Sequence, residues 1–210
     1  MLALLAALAC SLAVTLFVVH ATKTRGALLL DSDTSGPQKF HARPVARVGG
    51  IGIFAGLLLA LAPLWAIGPE AAKSAAWLLA CGLPAFAAGL LEDLTKRVRP
   101  LHRLIATAVS ALLAAWILGA LITRTDIFGL DWLVSHAFGA TLLTALAVAG
   151  IANSINIIDV FNGLASMCVM IMLAALAYVA FQVGDVFIGT FALAAIGAVL
   201  GFFLWNYPPG

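Results

Sequence analysis

The charged side chains of this 210-residue chain fall in a few short clusters, separated by long stretches with none. Between Arg103 and Arg124 every residue is uncharged, and beyond Asp159 the one charge is Asp185. Apolar stretches of roughly 20 residues match the length a helix needs to cross a bilayer. A chain 64% hydrophobic and 10% charged, with a mean hydropathy of +1.13, lies far from the composition of soluble domains. The expectation is an all-α, polytopic integral membrane protein, with residues 1–210 forming a single transmembrane domain. The net charge of +2 gives no argument for a nucleic-acid partner. Five Trp and twelve Phe are absorbed by lipid-facing and interfacial positions. Cys10, Cys81 and Cys168 sit in apolar segments without C-x-x-C spacing and read as small buried hydrophobes.

Cutting at the charge clusters gives seven spans, near 1–20, 48–67, 74–91, 104–123, 132–152, 164–183 and 187–205. The first lacks a basic residue ahead of its apolar run, unlike a signal peptide, and reads as a retained helix with its N-terminus outside. Alternation then places 21–47, 92–103, 153–163 and the tail from Asn206 on one side. That side holds Lys23, Arg25, Lys39, Arg43, Arg47, Lys96, Arg97, Arg99 and Arg103, whereas the other holds Lys73 and Arg124. By the positive-inside rule the basic side is cytoplasmic. The outer loops read as short turns, and the cytoplasmic ones carry nearly all polar groups capable of chemistry, so the catalytic loops are expected to be cytoplasmic.

Three clusters stand out. Glu92-Asp93 closes the third span, where paired acids suit a hard divalent ion, magnesium above all, and where Lys96 and Arg97 offer purely structural neutralisation. Asn153, Asn156, Asp159 and Asn162 recur every third residue before Gly163, a spacing that predicts one drifting helical stripe lining a cavity. Their oxygens suit a metal, a metal-bound phosphate or a sugar hydroxyl; interhelical hydrogen bonding is the structural alternative. The segment 39–52 joins Lys39, His41, Arg43 and Arg47 to Gly49, Gly50 and Gly52, either as an anion cradle at a helix start or as a topology-fixing loop followed by packing glycines. Together the clusters describe a site for a metal, phosphates and a lipid. A phosphoryl-transfer enzyme and an anion transporter would share these features.

At these motifs, His41-Ala-Arg43-Pro44-Val-Ala-Arg47-Val-Gly49-Gly50, Glu92-Asp93 with Lys96, and Asn153 through Ala165, the sequence resembles the polyprenyl-phosphate N-acetylhexosamine-1-phosphate transferases of bacterial glycosyltransferase family 4. It looks nearest to members acting in O-antigen, lipopolysaccharide or other surface-polysaccharide synthesis. The resemblance implies transfer of a sugar 1-phosphate from a UDP-sugar to undecaprenyl phosphate in the bacterial inner membrane, with release of UMP and a requirement for Mg2+. It implies catalytic roles for Asp93, Glu92 and Asp159, with Asp93 and Asp159 as metal ligands. His41, Arg43, Arg47, Lys96, Asn153, Asn156 and Asn162 would then meet the substrates.

Three departures accompany the resemblance. Glu92 stands where the family pattern has Asp, which keeps the charge and adds a methylene. Val160 replaces a usual Gly, and Asn162 replaces a usual second acid. The family ordinarily continues past Gly210 into a further acidic loop and more spans, which implies that the sequence as written is a fragment or a truncated, non-catalytic member. Small residues such as Gly82, Ala87, Ala88 and Gly89 permit close helix packing, internal or in a homodimer.

Overall fold

A computed structural model describes residues 1–25, 49–95, 98–159 and 161–207. Among the described residues the regular structure is all helical, without strands: α1 (Leu2–Arg25), α2 (Gly50–Leu59), α3 (Leu61–Trp65), α4 (Pro69–Thr95), α5 (Pro100–Leu118), α6 (Leu130–Val134), α7 (Ala137–Ile158), α8 (Leu164–Gln182) and α9 (Val186–Asn206). Six of them, α1, α4, α5, α7, α8 and α9, are long and apolar enough to cross a membrane. The expected span near 48–67 is instead the broken pair α2–α3. Pro63 has no N–H to offer the carbonyl of Leu59, and its ring crowds that carbonyl, so the helix breaks at Ala60.

Two other boundaries move from where hydropathy puts them. α5 stops at Leu118 because Gly119 takes a left-handed conformation (φ 65°), whose N–H returns to the Ala114 carbonyl. The next long helix starts later than expected, at Ala137, and runs on through Asn153 and Asn156 to Ile158. The connector between them is built around one carboxylate. Asp131 Oδ1 accepts from the Thr125 N–H at 2.7 Å, the Thr125 hydroxyl at 2.8 Å and the Asp126 N–H at 3.2 Å. Asp126, held at φ 56°, also accepts from Arg124. The Thr125 backbone bond, then its hydroxyl, hold the Asp131 carboxyl below the ordinary carboxylate range. A connector that reads as a plain turn in sequence thus has an internal scaffold.

The chain divides into two compact units, residues 1–76 with 157–210, and residues 77–156. In the first, small residues make the core: Ala3, Ala7, Ala60, Ala194 and Ala198 cluster together, with Ile53 and Leu57 against them. The large apolar side chains point outward, Leu2 at 73% and Phe17 at 72% exposure. This inverts the soluble pattern and suits lipid, where helix association depends on close backbone approach instead of water exclusion. Gly56 is required by such an approach, since a Cβ there would lie 2.6 Å from the Ala7 carbonyl oxygen. Ser11 Oγ donates to the Ala198 carbonyl at 2.6 Å, tying α1 to α9. Gly52 faces Thr15 and Gly56 faces Ala7, so α2 runs antiparallel to α1; Gly197 faces Leu4 and Gly201 faces Leu8, so α9 runs parallel to it. A second cluster of Leu64, Ala72 and Ala75, with Phe187 and Phe191, closes the opposite end.

In the second unit α4, α5 and α7 lie alternately antiparallel. Pro84 lies inside α4, and the next backbone N–H, that of Ala85, donates to Ser110 Oγ of α5 at 3.1 Å. A neighbouring helix here supplies an acceptor beside a proline, as a lipid-embedded backbone needs. At the far end of the unit Thr144 Oγ1 of α7 accepts the Ile122 N–H at 2.9 Å. Gly82 and Gly89, offered in sequence as packing residues, have no neighbouring atom within 4 Å of a built Cβ among the described residues.

Candidate functional site

In the second unit the C-terminal turn of α4, the N-terminal turn of α5 and the C-terminal turns of α7 meet through one side chain. Pro100 occupies the first turn of α5, with Arg99 before it extended at ψ 149°, as the residue preceding a proline must be. This starts the helix so that Arg103 falls one turn in. Its Nη1 donates to Glu92 Oε2 at 2.5 Å and to Asn156 Oδ1 at 3.1 Å. The Arg103 and Glu92 side chains are 23% and 29% exposed, so the pair is largely shielded from water. Sequence reasoning counted Arg103 only as a topology charge. The signal was present, since a cation one turn inside an apolar helix needs a counter-ion.

Glu92 is therefore neutralised from α5. Asp93, about 100° further round α4, is half-buried and has an interaction of its own. Asn153 is half-buried and Asn156 exposed, both on α7. The expected stripe is helical only this far.

In the first unit the remaining two members of the stripe leave the helix. Asp159 is exposed in the turn after α7, and it too has an interaction of its own. Asn162 is half-buried in the turn that leads into α8. Gly163 starts α8 at φ 81°, where a side chain is strained, and a Cβ there would lie 2.7 Å from the Phe203 ring of α9. Phe203 in turn packs on Tyr207, ring centroids 5.1 Å apart. Gly49, the first described residue after the basic segment, lies against Phe202 of the same turn of α9. The start of α2, Gly163 and the end of α9 thus share one end of this unit. Gly49 and Gly52 both serve close packing. His41, Arg43, Arg47 and Lys96 lie outside the described residues, as does Val160.

Among the described residues no three His, Cys, Asp or Glu side chains gather into a metal-binding group. Magnesium commonly takes one or two carboxylates and completes its shell with water and substrate phosphates; Asp93 belongs to the second unit and Asp159 to the first. Asn156 Oδ1, an oxygen the sequence offers to a metal, is turned to a guanidinium instead.

Apolar-faced helices with carboxylate, guanidinium and amide groups at their ends define a polytopic helical membrane protein with a polar site at helix termini. Residues 75–210 match Glycosyl transferase family 4, and the chain belongs to that family. It is 26% identical over 180 residues to the Probable undecaprenyl-phosphate N-acetylglucosaminyl 1-phosphate transferase of Bacillus subtilis, covering 84% of this chain and 48% of that protein. It is 39% identical over 62 residues to the Phospho-N-acetylmuramoyl-pentapeptide-transferase of Streptococcus thermophilus, covering 30% of this chain and 18% of the relative. The chain thus spans about half the length, or less, of the curated relatives it matches. No solved structure matches it.

Proposed function

We propose that this protein acts in transferring a sugar 1-phosphate from a UDP-N-acetylhexosamine to undecaprenyl phosphate, at the cytoplasmic face of the bacterial inner membrane, as the opening step of surface-polysaccharide synthesis. The observation that carries the reading is membership of Glycosyl transferase family 4 over a stretch that contains Glu92, Asp93, Asn153, Asn156, Asp159 and Asn162. The name of the Bacillus subtilis relative supports a polyprenyl phosphate acceptor.

In this reaction an oxygen of the lipid phosphate attacks the phosphorus that bears the sugar. The bond from that phosphorus to the bridging oxygen breaks, and UMP leaves with the electron pair. Charge builds on the departing phosphate, so catalysis rests on positioning and on positive charge. His41, Arg43, Arg47 and Lys96 supply contacts to phosphates, and Asn153, Asn156 and Asn162 hold the nucleotide sugar. Asp93 and Asp159 are the residues that would hold magnesium, which when bound neutralises the diphosphate. Their carboxylates also accept a proton from the lipid phosphate or orient it. Glu92 works through Arg103.

The test is to incubate the purified protein with radiolabelled UDP-N-acetylglucosamine and undecaprenyl phosphate, with magnesium or with EDTA. The expected result is lipid-linked label and an equal amount of UMP, with magnesium only. Absence of both products with magnesium overturns the reading.

A further inference from the structure

We infer that Arg103 is a positioning residue that fixes the side-chain amide of Asn156, so that Asn156 meets its ligand as a hydrogen-bond donor to a phosphate, sugar or base oxygen and not as an oxygen ligand for a cation. The inference rests on the transferase reading and assigns polarity within that site.

An arginine guanidinium has donors and no acceptor, so only the carbonyl end of the Asn156 amide can face it. The orientation of the amide is set by chemistry here, although oxygen and nitrogen look alike in shape. Arg103 is itself held. Its bond to Glu92 is charge-assisted and short, and the two N–H bonds of a single Nη1 are divided between Glu92 and Asn156. With Oδ1 anchored, the Nδ2 hydrogens of Asn156 point away from the guanidinium, and the residue is exposed. A second cation on Oδ1 would sit beside the positive guanidinium, which disfavours it. Acceptor oxygens of a phosphorylated nucleotide meet no such obstacle. Glu92 has a place in the same relay: its extra methylene, relative to aspartate, lengthens its reach across the gap from α4 to Arg103 on α5.

The experiment titrates UDP-N-acetylglucosamine into the detergent-solubilised chain by calorimetry, with magnesium and with EDTA, checking the melting temperature of each variant. Asn156→Asp keeps an acceptor for Arg103 but removes the donor, and Asn156→Ala removes the amide without adding charge. Both are expected to weaken binding at least about tenfold, in EDTA as well as in magnesium, which corresponds to one hydrogen bond to a charged or strongly polar acceptor. Arg103→Ala weakens binding while the protein remains folded at the titration temperature, and Arg103→Lys, which keeps a single charged donor, restores part of it. Wild-type affinity in Asn156→Asp, or a loss confined to magnesium, overturns the inference and makes the carbonyl oxygen a metal ligand. A wild-type chain that binds no UDP-sugar overturns the transferase reading itself, and this inference with it.

Discussion

Arg103 and Glu92 lie eleven residues apart in sequence, on either side of a helix turn, and meet through a 2.5 Å ion pair between α4 and α5. Removal of either partner leaves the other charge partly shielded from water. Each of Arg103→Ala and Glu92→Ala is expected to destabilise the fold by about 1–2 kcal/mol, with the double variant costing less than the sum. Reversible unfolding in mixed detergent micelles measures the coupling, and strictly additive losses would show that the pair contributes nothing.

Ser110 supports α4 beside Pro84, which lies within the helix. Ser110→Ala leaves the Ala85 N–H without that acceptor and should lower stability by about 1 kcal/mol. Hydrogen exchange at the Ala85 amide should accelerate while distant amides of α5 keep their rates.

Packing of α1 against α2 depends on the missing side chain at Gly56. Gly56→Ala places a methyl group 2.6 Å from a backbone oxygen that cannot swing aside, and a loss of about 1–3 kcal/mol is expected. Gly68→Ala, in open surroundings, serves as the control and should leave the unfolding midpoint nearly unchanged.

The connector built on Asp131 should respond to acid. Its carboxyl is held below the ordinary value of about 3.9 by bonds from Thr125. The stabilisation is therefore complete above that ordinary value and is lost as pH falls through the lower folded value. Exchange at the Thr125 and Asp126 amides should rise in that acidic window. Asp131→Asn should weaken protection of the same amides at neutral pH, and a loop indifferent to both changes would contradict the scaffold.

Asp93→Ala and Asp159→Ala are each expected to reduce turnover by roughly 10³-fold or more, the scale of losing a principal charge-stabilising group. Folded protein should be recovered in normal amounts. Product formation at wild-type rate in both variants would remove the two residues from the chemistry.

Six of the seven expected spans were legible because charge is expelled from hydrocarbon and gathers at its borders; the other, near 48–67, is the shorter α2–α3 pair. Their ends were less so. Gly119 ends α5 through a backbone conformation that hydropathy does not register. Pro63 was visible in sequence, but its effect depends on how little helix remains on either side of the break. At the site, the every-third-residue spacing of Asn153 and Asn156 carried real helical information, and it failed at Asp159 because α7 ends at Ile158. The bridge from Arg103 to Asn156 joins residues 53 apart, so no local pattern reveals it. What sequence offered was an unexplained cation one turn inside an apolar helix.

The bond from Ser11 to Ala198 also dictates a schedule. These residues are separated by 187 positions, so the first helix enters the bilayer long before its partner exists. At typical translation speeds of about 5–20 residues per second, the gap is roughly 10–40 seconds. During that interval α2 is already present to pack on α1, while the Ser11 hydroxyl and the face of α1 that meets α9 lack their native partner. Completion of this unit is consequently a late event in biogenesis, and interruption of synthesis before α9 leaves the opening helix waiting for a seat.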